Sequence, residues 1–200
     1  MLLWILFVLL WLPIKILFPL KIVGKKNLVK KGGVVYVCNH FSNLDVVLIQ
    51  LSLGRRMKFM AKKELFSNKC KARFFRSIGA FPIDRQAKAD IGATKCALNV
   101  LKSGKPLFMF PEGTRNKTNT DELQEIKGGA IVFASKTGVP LVPMMLSRKP
   151  KAFRRTTLVV GEPMDFGFED KTRPSKDELE VATEKLAKTM VDLQLLGKKK

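Results

Sequence analysis

The sequence predicts a single α/β domain in which helices cover a mixed and largely buried sheet. Short apolar runs rich in β-branched residues alternate along the chain with longer helical patterns, as expected when strands alternate with helices. The length of 200 residues suits one domain with a substantial core. The 46% of hydrophobic residues excludes a disordered chain.

The first 23 residues are predicted to form a membrane-associating segment that precedes a domain of residues 24–200. Residues 1–14 carry no charge, but Pro13, Lys15 and Pro19 interrupt the apolar run, and a spanning helix usually needs about 20 apolar residues. We therefore expect a helix that inserts into one leaflet or barely spans. The basic residues after it would hold the domain on the cytoplasmic face of the cell membrane. A helix buried in the core is the alternative.

Strands are predicted wherever a short apolar run is bounded by turn-forming residues. These runs are residues 34–38, 58–61, 80–83, 106–110, 140–146 and 156–160. No internal repeat or low-complexity linker separates them, which favours one continuous sheet.

Helices are predicted at residues 42–53, 86–102 and 128–138, and residues 111–126 are polar and loop-like. Ser42 is expected to cap the first of these helices. Ser175 and Glu178 have the spacing of a capping box, which predicts a closing amphipathic helix.

His40 is the only histidine of the chain, and it lies between the predicted strand 34–38 and the helix that we expect Ser42 to cap. Ligands collect at such strand ends in open α/β sheets. Asp45 follows in the first turn of that helix, so the chain can fold the imidazole back toward this carboxylate. The carboxylate would orient one ring nitrogen and leave the other as a base near neutral pH. A histidine that only caps or packs is the alternative.

The sequence lacks the residues that several other chemistries require. The chain has no G-x-S-x-G elbow, so a serine hydrolase is not indicated. Cys38, Cys70 and Cys96 form no metal-binding spacing, and their odd number argues against a disulfide framework. We therefore expect no metal and no organic cofactor, and we expect a substrate hydroxyl to be the nucleophile.

A second group of polar residues follows the predicted strand 106–110, at another strand end. Gly113 permits an unusual backbone angle. Thr114 and Arg115 offer a hydroxyl and a bidentate fork that suit a phosphate. Glu112 offers an acceptor for substrate hydroxyls or a partner for a cation.

Arg85 is a second candidate for phosphate binding, within the segment GAFPIDR at residues 79–85. Its alternative is a surface ion pair with Asp84. The segment VPLVPM at residues 139–144 is explained by a buried strand alone.

Residues 39–45 (NHFSNLD) resemble the N-H-x4-D motif of the glycerolipid acyltransferases. Residues 79–85, 110–116 and 139–144 resemble that family's second, third and fourth motifs, in the same order. The similarity extends from about residue 20 to about residue 165. One motif is weak evidence, whereas four in order are specific. Within that family, the sequence resembles the branch that acylates 1-acyl-glycerol-3-phosphate and makes phosphatidic acid.

The resemblance implies a role for each motif. His40 would deprotonate the sn-2 hydroxyl of lysophosphatidic acid, and Asp45 would orient it. The alkoxide would attack an acyl-CoA or acyl-carrier-protein thioester directly, without an acyl-enzyme. The residues implied in binding glycerol phosphate are Arg85, Glu112, Gly113, Thr114, Arg115 and Lys127.

Two positions depart from the family pattern: Asn116 stands where serine is commoner, and Pro82 where an aromatic or aliphatic residue is usual. Another lysophospholipid or glycerol-3-phosphate therefore stays open as the acceptor.

The charge of the chain predicts anionic partners, because 37 Lys and Arg face 17 Asp and Glu, a formal net charge of +20. The stretch 55–76 interleaves basic and aromatic residues and contains one acid, Glu64. This mixture suits an anionic membrane surface, an acidic acyl carrier protein or the phosphates of coenzyme A. A solvated charged face is the alternative.

Two rival functions belong to other classes. The charge permits a nucleic-acid-binding protein, but the apolar start and the lack of a recognised module argue against it, so no nucleic acid is expected as a partner. A catalytically silent scaffold of the same fold is disfavoured because His40, Asp45 and Glu112 are all present.

Overall fold

A computed structural model describes residues 12–84, 86, 90–118, 120–168 and 174–199. Seven strands form one sheet, and their bounds are β1 Leu20–Val23, β2 Val34–Cys38, β3 Lys58–Lys62, β4 Ala80–Ile83, β5 Pro106–Met109, β6 Leu141–Leu146 and β7 Thr156–Val160. Their order across the sheet is β1-β7-β6-β2-β5-β3-β4. Strand β7 is antiparallel to β6, and the other neighbouring pairs are parallel. The prediction of a mixed sheet is confirmed.

Helices lie on both faces of this sheet. Their bounds are α1 Asp45–Leu53, α2 Lys69–Ser77, α3 Ile91–Lys102, α4 Gly129–Thr137 and α5 Lys176–Lys199. Short 3-10 turns occur at Lys25–Asn27 and Lys63–Phe66. The predicted capping box is present, since Ser175 N–H donates to the Glu178 carboxylate and Glu178 N–H donates to the Ser175 hydroxyl.

The core is split by the sheet into two layers, as the period of a strand requires. All five side chains of β2 are buried. Val35 and Val37 point to the layer that packs against α3, α4 and α5. Tyr36 and Cys38 point to the opposite layer, which packs against α1. Strand β2 is therefore covered on both faces and flanked on both sides, so the residues that follow it leave from the centre of the domain.

Two predicted helix starts are wrong. Helix α1 begins at Asp45 with Leu44 as its N-cap, so Ser42 does not cap it. Helix α3 begins at Ile91 rather than at residue 86, because the Asp90 carboxylate accepts the N–H of Ala93 and so caps the helix there.

The N-terminal segment is only partly described. Residues 12–17 are helical, while the apolar residues 1–11 lie outside the described part of the chain. Residues 20–23, which the sequence assigns to the membrane-associating segment, pair with β7 as an edge strand of the sheet. Among the helices that the structure describes, none is long and apolar enough to cross a bilayer.

Candidate active site

The candidate site lies at one side of the sheet, which we call the carboxyl rim, where β2, β5 and β6 end at Cys38, Met109 and Leu146. Strand β2 pairs in parallel with both β5 and β6. Parallel neighbours end at the same side of a sheet, so His40 and Glu112 both follow their strands onto this rim. The sequence predicted the two strand ends, and the topology makes them adjacent.

Asn39 fixes the chain as it leaves β2. Its side-chain amide donates to the Leu146 carbonyl oxygen at 3.1 Å, and its Oδ1 accepts the Leu146 N–H at 2.8 Å. The side chain thus pairs with β6 as a backbone peptide would. This contact holds the start of the turn that presents His40.

The predicted contact between His40 and Asp45 is present. His40 Nδ1 lies 3.1 Å from Asp45 Oδ2, and the same oxygen accepts the N–H groups of Phe41 and Ser42, each at 2.7 Å. Asp45 is fully buried, with an exposed fraction of 0%. Hydrogen bonds from three donors offset the cost of burying this carboxylate. Asp45 therefore organises the turn and reaches the imidazole from the first residue of α1.

Phe110 covers one face of the His40 ring. The ring centroids are 3.6 Å apart and the planes differ by 12°. This stacking and the bond to Asp45 together restrict the rotation of the imidazole. The sequence predicted Phe110 as the last residue of the strand 106–110 and as part of residues 110–116, and it gave Phe110 no role in the site. An aromatic residue at a strand end gives no signal of a partner 70 positions away.

Glu112 holds the backbone of His40. Its Oε1 accepts the His40 N–H at 2.8 Å, and the Asn116 N–H donates to the His40 carbonyl oxygen at 2.7 Å. Both polar groups of the histidine backbone are thus bound by residues 112–116. Sequence reasoning expected Glu112 to contact substrate, and the structure adds this positioning contact.

Burial raises the pKa of the Glu112 carboxyl from its ordinary 4.5 to about 7. The N–H groups of His40 and Gln124 oppose that rise, while the nearby Asp45 carboxylate adds to it. Only 4% of Glu112 is exposed. Its charge therefore changes in the neutral range, next to the candidate base.

Asn116 closes the loop that follows. Its amide donates to the carbonyl oxygens of Thr120 and Glu122 at 3.2 and 2.8 Å, and its Oδ1 accepts the Thr118 N–H at 2.8 Å. The side chain is buried. The sequence showed this asparagine only as a departure from a family pattern, whereas in the structure it stabilises the loop that binds the His40 carbonyl.

Lys127 is brought beside Gly113, as the sequence predicts for residues of one binding site. Gly113 has φ 71°, and a Cβ at that position would lie 3.5 Å from the end of the Lys127 side chain. The Lys127 N–H donates to the Pro111 carbonyl oxygen at 2.9 Å. Thr114 and Arg115 are exposed next to Gly113. Exposed cationic and hydroxyl groups thus surround a glycine turn on the carboxyl rim.

Arg85 lies outside the described residues. Asp84, the alternative partner suggested for it, forms an ion pair with Lys63. Within the described ranges, no cluster of three or more His, Cys, Asp or Glu side chains could hold a metal ion.

The chain is similar to known proteins in sequence and in fold. A sequence model of the acyltransferase family matches residues 19–147. The chain belongs to the acyltransferase family. The match runs from just before β1 to just after β6 and therefore includes every strand that ends at the carboxyl rim around His40.

Individual relatives agree with the family model. The acyltransferase is 34% identical over 183 residues to the 1-acyl-sn-glycerol-3-phosphate acyltransferase of Bacillus subtilis, covering 87% of each chain. It is 30% identical to the enzyme of the same description from Saccharomyces cerevisiae, covering 86% of this chain and 58% of the yeast protein.

A solved structure shows the same fold. The crystal structure of the 1-acyl-sn-glycerophosphate acyltransferase PlsC from Thermotoga maritima superposes with a TM-score of 0.66 at 26% sequence identity. The match covers 88% of this acyltransferase and 71% of PlsC. The α/β domain with a seven-stranded sheet is thus the architecture of a solved member of the family.

Proposed function

We propose that this acyltransferase transfers an acyl group from a thioester to the sn-2 hydroxyl of 1-acyl-glycerol-3-phosphate and forms phosphatidic acid for phospholipid biosynthesis. The observation that carries the proposal is the His40–Asp45 contact at 3.1 Å on the carboxyl rim. The relatives named above supply the acceptor, because their descriptions name 1-acyl-sn-glycerol-3-phosphate.

His40 acts as the general base. With Asp45 accepting a hydrogen bond from the Nδ1–H group, Nε2 takes the proton of the sn-2 hydroxyl as that oxygen attacks the thioester carbonyl. The tetrahedral intermediate collapses, the carbon–sulfur bond breaks, and the thiolate leaves. The thiolate then takes the proton from the imidazolium, so the products are phosphatidic acid and a free thiol.

No acyl-enzyme forms in this mechanism. Cys38 is the cysteine next to the site in sequence, and burial, aided by the Asp45 charge, raises its thiol pKa well above the ordinary value. The protonated thiol donates to Asn39 Oδ1 at 3.3 Å. A protonated, fully buried thiol is a poor nucleophile, which supports direct attack by the substrate hydroxyl.

The acceptor phosphate binds to the cationic groups beside the glycine turn. Arg115 supplies a bidentate fork and Lys127 a point charge, both exposed on the carboxyl rim. Gly113 and Thr114 contribute backbone and hydroxyl contacts. Arg85 adds a further phosphate contact, and Glu112 contacts the glycerol hydroxyls. The reaction requires neither a metal nor an organic cofactor.

The acyltransferase works at the cytoplasmic face of the cell membrane, anchored by its apolar N-terminus and by the stretch 55–76. Two arginines of that stretch serve the fold instead, since Arg55 donates to the Tyr36 hydroxyl at 3.0 Å and Arg56 to the Ser77 carbonyl oxygen at 2.7 Å. Replacing Lys69 and Lys71 by glutamine, on the exposed side of α2, should weaken binding to anionic vesicles. Unchanged binding would show that the stretch 55–76 does not contact the membrane surface.

The deciding experiment measures transfer from a labelled thioester to lysophosphatidic acid, with acyl-CoA and acyl-carrier protein as separate donors. We compare the wild type with His40→Ala and with Asn43→Ala, an exposed neighbour in the same turn. Phosphatidic acid formed by the wild type and by Asn43→Ala, but lost in His40→Ala with retained circular dichroism, would support the reaction and its base.

Two outcomes would count against the proposal. Activity that survives His40→Ala would overturn the mechanism. If neither donor yields product, the acceptor is another lipid, and a panel with glycerol-3-phosphate and lysophospholipids of larger headgroup follows. A salt-dependent gel shift with duplex DNA tests the alternative that the protein binds nucleic acid. We expect no specific complex.

A further inference from the structure

The connection between β6 and β7 has features that the proposed chemistry does not use. This β6–β7 loop, residues 148–155, starts directly after Ser147 on the carboxyl rim and ends at the start of β7. Leu146, which precedes it, is bound by the side chain of Asn39. The Lys149 N–H donates to the Asp121 carboxylate at 3.2 Å, in the loop that follows Asn116. The β6–β7 loop is therefore a neighbour of the candidate site.

Phe153 lies at the tip of this loop and points its apolar surface into solvent. Lys151 and Arg154 close a tight turn around it, with the Arg154 N–H donating to the Lys151 carbonyl oxygen at 3.1 Å. The exposed fraction of Phe153 is 78%. Its φ is 58°, and it is the only non-glycine residue with positive φ in the described part of the chain. Glycine or asparagine suits this conformation better than phenylalanine, so fold stability alone does not explain an aromatic residue here.

The charged residues of the β6–β7 loop are all positive. The β6–β7 loop contains five Lys and Arg residues and no acidic residue, and they are Arg148, Lys149, Lys151, Arg154 and Arg155. Among the described side chains, none of these five forms an ion pair with a carboxylate. An apolar tip ringed by uncompensated cations is the chemistry of a surface that binds an anionic lipid interface.

The β6–β7 loop also contacts the helical turn that follows the apolar N-terminus. The Phe153 N–H donates to the Leu17 carbonyl oxygen at 2.6 Å. On that same helical turn, Leu12 and Ile16 have exposed fractions of 56% and 62%, and the uncharged residues 1–11 precede it in the sequence. An acidic protein would match the charge alone, whereas a bilayer matches both the charge and this apolar continuation.

We propose that the β6–β7 loop docks on an anionic bilayer, with Phe153 inserted among the lipid headgroups and the flanking cations on the anionic surface. Docking there turns the carboxyl rim, and with it His40, toward the membrane. A role of this docking in catalysis rests on the proposed acyl transfer, because only a lipid acceptor has to be taken from the membrane surface.

The first test measures binding of the full chain to vesicles of mixed phosphatidylcholine and phosphatidylglycerol by flotation, without substrate. Phe153→Asn removes the ring and keeps a residue that tolerates positive φ. It should weaken vesicle affinity about tenfold, the effect of losing a partly buried aromatic side chain. Val181→Asn is the matched control, since Val181 is also exposed, at 65%, but lies on α5. Equal affinity of the two variants would overturn the proposal.

The second test removes charge. Lys151→Gln with Arg154→Gln should weaken binding to the mixed vesicles about fivefold per charge at low salt, and should leave binding to pure phosphatidylcholine vesicles unchanged. Lys185→Gln with Lys188→Gln removes the same charge from an exposed part of α5. This control pair should leave binding to both kinds of vesicle unchanged. A loss that is the same for both pairs would refute a specific role of the loop.

Activity separates this proposal from the proposed reaction. Phe153→Asn should transfer acyl groups normally to a short-chain lysophosphatidic acid dispersed as monomers, and should be impaired only on vesicle-borne acceptor. A variant impaired only with the acyl-carrier donor, and normal in vesicle binding, would identify an acidic protein as the partner and overturn lipid docking. If the wild type transferred no acyl group at all, the proposed reaction would fail while the vesicle measurements still decided the docking.

Discussion

The buried carboxyl of Glu112 should make folding stability depend on pH in a way that one substitution removes. Because the folded pKa of about 7 exceeds the ordinary 4.5, the folded state binds this proton more tightly than the unfolded state does. The stabilisation is complete below pH 4.5 and is lost as pH rises to about 7. This difference between the folded and unfolded pKa corresponds to a change in the free energy of unfolding of about 3 kcal/mol.

Glu112→Gln isolates this ionisation, since the amide oxygen can still accept the His40 N–H where Oε1 does at 2.8 Å. We would measure urea unfolding in mild detergent at about pH 5 and about pH 8. The free energy of unfolding of the wild type, relative to Glu112→Gln, should fall by about 2.5 kcal/mol between them. Glu125→Gln, the same change at an exposed residue of the same loop, should show no such pH dependence. If the difference in free energy of unfolding between the wild type and Glu112→Gln were the same at both pH values, the raised pKa of Glu112 would be refuted.

Three further outcomes follow from the geometry. Asp45→Ala leaves the buried Phe41 N–H and the half-buried Ser42 N–H without their acceptor and should lower the free energy of unfolding by about 2–4 kcal/mol. Asp45→Asn should recover much of that stability in urea unfolding but not the turnover rate. Asn116→Ala opens the loop that binds the His40 carbonyl and should reduce kcat about tenfold or more; an unchanged kcat would contradict that coupling. Gly79→Ala puts a Cβ 2.3 Å from a backbone oxygen, whereas the Cβ of Gly54→Ala meets nothing within 4 Å. Thermal unfolding should therefore show a clearly lower Tm for Gly79→Ala than for Gly54→Ala. Equal Tm values would contradict a steric clash at residue 79.

The chemistry of the site was largely predictable from the sequence. His40 and Glu112 each follow an apolar run, so their placement at strand ends needed only local patterns. The contact to Asp45 was predicted for the wrong local reason, because Ser42 was expected to cap a helix that in fact begins three residues later, at Asp45. The helix has no side-chain cap, and the Asp45 carboxylate instead accepts the N–H groups of Phe41 and Ser42 in the turn before it.

The contacts that assemble the site were not predictable, because they depend on which strands become neighbours. Nothing local in the sequence pairs Asn39 with Leu146 or stacks Phe110 on His40. Strand β1 was missed for a related reason. Pro19 and Lys21 break its apolar pattern, and an edge strand needs only one neighbour, here β7.

The side-chain pairing of Asn39 with β6 has a consequence for how the chain matures. Glu112 is 72 residues from the His40 that it holds, and Leu146 is 107 residues from Asn39. Contacts so distant in sequence form slowly, after costly loop closure. Turnover should therefore return during refolding only when β6 has docked, later than helical circular dichroism. A nascent chain that has not yet reached Leu146 would carry its histidine and its carboxylates without a working site, which makes acyl transfer a reporter of completed folding.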